Sequence, residues 1–270
     1  MPMTYKVRKS SIRLLPRGCR DIHILHVSDL HLTPSNKRLI ADIKSFINLK
    51  PDLVIVTGDF LAHKDAINPL IAALDELLDL PGLFVFGSND YYGPRFKNPL
   101  LYLRKDTGGQ KLGKKLPWQR LQKHLIQRGW KDLNNKKVEI KVNGVVIRAC
   151  GTDDAHINLD DYKNIVGTGT FDISIGITHA PYGRVLDAMS KDQTNLIFAG
   201  HTHGGQVRLP WFGGSRSLTT NCDLPNWRSR GLTKLPNEPF LNVSAGMGVN
   251  PFMPFRIFCS REVSFIKLTQ

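Results

Sequence analysis

No window of the sequence is apolar over the length a membrane span requires. The first twenty residues, MPMTYKVRKSSIRLLPRGCR, also lack the continuous apolar core of a secretory signal. Both absences predict a cytoplasmic chain. Cysteine is scarce: Cys19, Cys150, Cys222 and Cys259 stand far apart with no paired spacing. That pattern excludes a zinc ribbon and a disulfide framework, and it predicts reduced thiols. There is no internal repeat and no glycine-rich phosphate loop of the nucleotide triphosphatase kind. Acidic residues are few, 23 against 37 Lys and Arg, for a formal net charge of +14. Such an excess favours anionic partners: phosphorylated substrates, acidic lipid head groups or nucleic acid.

What the chain does have is apolar, β-branched sequence. With 270 residues, 41% of them hydrophobic, it can bury a large core, and residues 1–270 are expected to form one α/β domain. IHILHVSDLHL reads as a buried strand that delivers Asp29 and His31 at its carboxyl end. Ser35 then offers a cap for a helix carrying Leu39, Ile40, Ile43, Phe46 and Ile47. The strand DLVIVTGDF brings up Asp59, Asn68-Pro69 starts a second helix, and GLFVFGSND forms a third strand. Strands alternating with helices in this way are βαβ units, so the sheet is expected to be parallel and covered by helices.

Residues 91–131 break the rhythm, with eleven Lys and Arg against one acidic residue, Asp106. This reads as a basic insertion whose second part, Pro117 to Arg128, forms a short helix with Trp118, Leu121 and Leu125 on one side. Beyond it, Asn143-Gly144 between VEIKV and VVIRACG is a two-residue hairpin signal, after which the sheet is expected to turn antiparallel. FDISIGITHA and TNLIFAGHTH, joined by a helix near Tyr182 to Met189, again end in histidine. Short strands near Phe240 to Ala245 and Val263 to Leu268 complete the pattern.

The polar residues at the five strand ends are Asp29 and His31 in SDLH, Asp59 in GDF, Asn89 and Asp90 in GSND, His179 in THAP, and His201 and His203 in GHTHGGQ. Each motif alone reads as a turn or a hydrogen-bonded core histidine. Together, all at strand ends, they make a set of metal ligands. Carboxylate oxygen with imidazole nitrogen suits manganese, iron or zinc, and a lone strand-end carboxylate such as Asp59 can be shared by two ions. Two divalent metal ions are therefore expected. GHTH, if extended, puts both histidines on one side. Gly58, Gly87 and Gly200 each precede a candidate ligand, where a missing Cβ permits a sharp turn and close approach of a phosphate. Asp153, Asp154 and His156 in GTDDAH read either as groups near the site or as a turn. His23, His26, His63 and His124 read as structural or surface residues.

From about residue 24 to 250, this order of motifs resembles the calcineurin-like metallophosphoesterases, and GHTHGGQ is the most specific element. The nearest branch is similar to the bacterial membrane-adjacent and nucleotide-lipid pyrophosphatases. The resemblance implies a four-layer αββα sandwich. It implies Asp29, His31 and His203 on a first metal, His179 and His201 on a second, and Asp59 bridging. It further implies a hydrolase of phosphodiester or pyrophosphate bonds whose nucleophile is a water activated by the metal pair. One departure stands out: the family's Gly-Asn-His-Asp is Gly87-Ser88-Asn89-Asp90 here. Aligned without a gap, Ser88 takes the ligand position and Asn89 that of the acid histidine. With a slip of one residue, Asn89 keeps the ligand role and Asp90 stands for the histidine. Asn89 is favoured as ligand because an amide oxygen is the better neutral donor, and Asn89 and Asp90 are the candidate catalytic positions.

The expected partner is a phosphorylated anionic substrate, nucleotide-linked or lipid-linked, with peripheral contact to an anionic membrane left open. Nucleic acid stays open as a partner but is not favoured, because aromatics are not regularly interleaved with the charges. The competing reading is a catalytically weak metal-binding scaffold of the same fold.

Overall fold

The computed structural model describes residues 5–95, 112–163, 165, 170–211, 214–236, 239–252 and 254–270. Most of the basic segment, residues 96–111, lies outside the described residues.

Three apolar runs, β2 (Ile22–Val27), β3 (Leu53–Thr57) and β4 (Gly82–Val85), pair in parallel and in sequence order. Both of their faces are buried, which is why their sequences read as continuous rather than alternating apolar runs. Leu25, Val27, Val54 and Val56 point outward, under the helices α1 (Lys37–Lys44), α2 (Ile67–Leu74) and α4 (Trp118–Gln127). A single helical turn, α3 (Ser88–Tyr91), lies close after β4. Ile22, Ile24, Leu53 and Ile55 point inward, against a second sheet. That sheet has the order β12 (Gly231–Lys234), β13 (Phe240–Val243), β9 (Leu196–Ala199), β8 (Ile173–Ile177), β7 (Val145–Gly151), β6 (Lys136–Val142). Its far face buries Val185, Leu186 and Met189 of α5 (Gly183–Lys191). The stacking is therefore helix, sheet, sheet, helix, the four-layer αββα sandwich expected. Phe198, fully buried between the sheets, is one of its large fillers. Truncating such a side chain to alanine costs about 3–5 kcal/mol.

Both ends of the described chain meet in the first sheet, whose order is β1 (Lys6–Arg13), β14 (Glu262–Thr269), β2, β3, β4, β5 (Lys131–Asp132). β14 runs parallel to β1 and antiparallel to β2, wedged between them. Arg8 and Glu262 lock the pair with two hydrogen bonds of 2.7 Å.

Three expectations are corrected. The second sheet does not turn antiparallel throughout: β7, β8, β9 and β13 are parallel, and only the edge strands β6 and β12 run the other way. The Asn143-Gly144 hairpin does form, with both residues at positive φ, but the next connection crosses over instead of folding back. Asn36, not Ser35, caps α1. Its side chain accepts from the Leu39 amide at 3.1 Å, because it is the residue directly before the first helical turn, while the Ser35 hydroxyl lies 3.3 Å from that of Thr33. The second helical segment begins earlier than Asn68-Pro69, with a 3-10 turn over Lys64–Ala66 capped by His63. Asn68 instead accepts from Arg120 on α4 at 2.6 Å.

Candidate metal centre

In parallel α/β sheets ligands gather beyond the carboxyl ends of the strands. Here the ends of β2, β3 and β4 from one sheet and of β7, β8 and β9 from the other open onto the same pocket. It is lined by His31, Asp59, Ser88, Asn89, His156, His201 and His203, with Tyr92, Arg95, Gln206, Asn221 and Asn250 at its sides.

The backbone carrying these groups is unusual. Asp29, His31, Asp59, His201 and His203 all have positive φ, between 42° and 68°. A non-glycine residue in this region is strained, and such strain concentrates where function demands a geometry. GHTH is accordingly not extended: each histidine enters the pocket from a left-handed turn, and Thr202 between them is helical. Gly58 meets the turn expectation, at φ 80°. Gly87 and Gly200 serve differently from that expectation. A Cβ on Gly87 would run into Asp59 and His179, and one on Gly200 into Ser28 and Asp29. Their role is to make room for the candidate ligands themselves.

Asp29, His31, Asp59 and His203 bring four donor atoms within 4.8 Å of one another. His31 Nε2 lies 3.1 Å from His203 Nε2 and 3.3 Å from Asp59 Oδ2, and His203 Nε2 lies 3.7 Å from Asp29 Oδ1. Burial lowers the pKa of both His31 and His203. Both rings are therefore neutral near pH 7, the form in which imidazole binds metals. Burial also raises the Asp29 carboxyl to about 6. Asp59 is held below the usual carboxylate range: burial alone would raise it, but His179, His31 and the Asn89 amide outweigh that.

On the other side, His179 Nδ1 contacts the Thr57 carbonyl at 2.6 Å and therefore carries a proton. Its buried Nε2 has no hydrogen-bond partner and faces Asp59 Oδ2 at 3.5 Å. A ring nitrogen facing a carboxylate oxygen at this distance calls for a positive charge between them, a proton on the ring or a metal ion in its place. Burial by itself would lower His179, yet Asp59, Asp154 and Asp29 push it up to about 9. The same field attracts a metal. His201 stands edge-on to His179 with ring centroids 5.2 Å apart, and its Nε2 meets the Asn221 carbonyl at 3.0 Å. Its lone pair therefore sits on Nδ1. Asn89 lies on the Asp59 carboxylate, with its backbone N–H donating to Oδ1 at 2.9 Å and its amide to Oδ2 at 2.7 Å. The residues present fit divalent metal ions.

Asp90 is brought to the loop but not to the pocket. Its Oδ1 accepts from the N–H groups of Phe60 and Leu61, and its Oδ2 from those of Asp59 and Gly87. Both oxygens are thus occupied by backbone, and Asp90 is fully buried. The carboxylate that the sequence offered in place of the missing acid instead pins the GD and GSND loops together.

Behind Asp29 runs a buried chain of hydrogen bonds. Asn242 Nδ2 donates to His26 Nδ1 (2.8 Å), His26 Nε2 to Thr57 Oγ1 (2.8 Å), Thr57 to Ser28 Oγ (2.7 Å), and Ser28 to Asp29 Oδ2 (2.7 Å). The amide at one end and the carboxylate at the other set its direction. Burial lowers His26 to about 3, so it stays neutral in this role. His26 is structural, as the sequence suggested, but it bridges the two sheets directly beneath the site.

His156 is the residue the sequence left undecided. It lines the pocket with its ring 4.5 Å from that of His201, and its Nδ1 lies 3.1 Å from the Tyr182 hydroxyl. Asp153 accepts from the Tyr91 hydroxyl at 2.7 Å. Asp154 is fully buried, with burial raising it to about 6 and one oxygen without a partner. Gln206 closes the GHTHGGQ motif but was not read as a site residue, and Asn221 and Asn250 had no motif to announce them.

A family model described as calcineurin-like phosphoesterase matches residues 22–205, which contain every candidate ligand from Asp29 to His203. The chain belongs to the calcineurin-like phosphoesterase family. Its relatives include the transmembrane protein with metallophosphoesterase domain of Bos taurus, 25% identical, covering 94% of this chain and 54% of that one. The metallophosphoesterase YkuE of Bacillus subtilis is 27% identical over 74% of this chain and 64% of its own length. UDP-2,3-diacylglucosamine pyrophosphatase LpxG of Chlamydia muridarum is 25% identical, covering 94% and 86%. The chain thus spans between half and two thirds of the first two. The family's chemistry is hydrolysis of phosphate esters, and in this member Asp29, His31, Asp59 and His203 form a candidate site for a divalent metal.

Proposed function

We propose that the chain is a dinuclear metallohydrolase of phosphodiester or pyrophosphate bonds, with residues 1–270 acting as one catalytic unit. The observation that carries this reading is Asp59 Oδ2, a single carboxylate oxygen within 3.3 Å of His31 Nε2, 3.5 Å of His179 Nε2 and 2.7 Å of Asn89 Nδ2. One ion would be held by Asp29, His31, His203 and Asp59. The other would be held by Asp59, His179, His201 and Asn89, and the donor set suits manganese, iron or zinc. Turning the Asn89 amide about its last side-chain bond exchanges its nitrogen for its oxygen, the atom a metal needs. When bound, the pair supplies an activated water and neutralises the phosphoryl oxygens.

The residues of the chain do the rest. The backbone anchors at Thr57 and Asn221 fix the two imidazoles, and the Asp90 staple fixes the loop that bears Asn89. Because Asp90 is committed to backbone, no carboxylic acid on this loop is available to protonate a leaving group. Substrates whose leaving group departs as a stable anion, such as a phosphate or an aryl oxide, are therefore preferred over alkyl diesters. Arg95 lines the pocket at the start of the basic segment and offers an anionic substrate a positive charge.

The test is turnover of bis-p-nitrophenyl phosphate and of a nucleotide pyrophosphate with added manganese or zinc, alongside a simple alkyl diester. Metal-dependent turnover lost in His203→Ala, and faster on the first two substrates, is expected. Metal uptake without turnover of any substrate would identify a binding scaffold instead.

A further inference from the structure

Beside the metal pocket the molecule presents an apolar face that its own core does not use. β10 (Arg208–Trp211) and β11 (Gly214–Ser217) form a hairpin in which Leu209 opposes Arg216, and Leu218 continues it by donating its N–H to the Val207 carbonyl. On the other side of β10, Val207 pairs with Ile257 in a parallel bridge. Paired residues in a sheet share a face. Leu209, Arg216, Leu218 and Ile257 therefore point the same way, and their exposure agrees. Arg208 and Ser217, on the opposite face, are buried, whereas Leu209, Arg216, Leu218 and Ile257 are exposed.

The loop around Ile257 extends this patch. Phe255 is exposed, and Phe258 is 68% exposed while held at φ 50°, a left-handed backbone that a bulky aromatic adopts only under constraint. The constraint is visible. Arg256 donates to the carbonyls of Ala245 (2.7 Å), Gly246 (3.2 Å) and Gly248 (2.6 Å), clamping the loop to the segment that hydrogen-bonds Ser28 and Asp29. A strained, firmly anchored and solvent-facing phenylalanine is costly unless something apolar receives it.

The charge around the patch identifies the receiver. Residues 204–261 carry seven Lys and Arg against two acidic residues. A cleft at the foot of Phe258 is lined by Arg38, Arg256 and Arg261. A second copy of this chain would set like charges against each other. An anionic bilayer instead offers hydrocarbon for the apolar side chains and phosphates for the arginines.

We propose that Leu209, Leu218, Phe255, Ile257 and Phe258 form an interfacial surface that docks on anionic phospholipid, flanked by Arg38, Arg216 and Arg261 at the level of the head groups. No helix among the described residues is long and apolar enough to cross a membrane, and none is needed for this mode of attachment. Gln206 lines the metal pocket one residue before Val207. Docking therefore brings the pocket mouth to the head-group layer, whatever bond is cleaved there.

The full chain is sedimented with vesicles of phosphatidylcholine alone or with about one third phosphatidylglycerol. Binding to the anionic vesicles only is expected, and the Phe258→Asn/Leu209→Thr variant is expected to lose it about tenfold. Asparagine tolerates the left-handed backbone at 258. An unchanged melting curve and unchanged turnover of bis-p-nitrophenyl phosphate would show that the variant is folded. Absence of wild-type binding to anionic vesicles, or equal binding by the variant, overturns the proposal. So does a concentration-dependent dimer in light scattering that the variant abolishes. The binding outcomes do not depend on the hydrolase reading, because sedimentation is scored without substrate and the melting curve alone suffices to show that the variant is folded.

Discussion

The two halves of the candidate centre are built by different means. Around His31, Asp29 and His203 the donor atoms crowd together, and two neutral imidazoles face each other at 3.1 Å. The His179 and His201 rings are separated by nearly the same distance but stand edge-on instead of stacked, each with one nitrogen tied to a backbone carbonyl. The first half owes its shape to strained backbone and to a convergence that a cation would relieve. The second shares the strained backbone at His201 and adds hydrogen bonds from both rings to backbone carbonyls. Asp59 is the one carboxylate common to both.

That difference can be broken or sharpened by substitution. Asp59→Asn removes the shared charge and should affect both halves, lowering turnover by about 10³-fold or more. Elemental analysis of the purified variant should find neither ion at full occupancy, and two retained ions would show that the halves are independent. Asn89→Ala touches only the second half, with an expected loss of about 10- to 100-fold in activity or metal affinity. Ser88→Ala should stay near wild type, and the reverse ranking would return the ligand role to Ser88. Asp90→Asn leaves two backbone donors facing an amide nitrogen and should cost about 2–4 kcal/mol of stability by denaturant titration. Its activity per folded molecule should fall less than that of Asn89→Ala. The smallest effect is with pH. The metal-free Asp29 carboxyl, raised to about 6, must lose its proton to bind an ion. Metal affinity should therefore weaken as pH falls below about 6, by up to about tenfold per unit. Affinity independent of pH between 5 and 7 would remove Asp29 from the binding step.

The sequence revealed the strand ends clearly, because a doubly buried strand cannot hide its apolar run and a polar residue directly after it needs a reason. Asp29, His31, Asp59, His179, His201 and His203 were all legible on that ground. Direction and angle were not legible. The parallel centre of the second sheet depends on crossovers, not on strand composition, so the hairpin at Asn143-Gly144 misled the expectation for the strands beyond it. Left-handed φ values at five of the candidate ligand positions carry only a weak residue signature, since none is glycine or asparagine. Asp90 looked like a reacting group because a carboxylate next to the expected ligand has two physical uses, and only the four backbone N–H groups converging on it decide between them. His156 lay in a turn of no special pattern, and the order of the second sheet, in which only β8 separates β7 from β9, brought it beside His201.

The strand order of the first sheet bears on how the molecule is made. β14 lies between β1 and β2, so the earliest strand has no neighbour until one of the latest has been synthesised. On the ribosome, β2, β3 and β4 can pair with one another while β1 waits and one edge of β2 stays open. The sheet is completed by insertion of a strand and not by growth at its rim. Closing a loop of this length is slow. The Ser28–Asp29 turn, clasped by the segment just before β14, would therefore be among the last parts of the metal centre to acquire its final form.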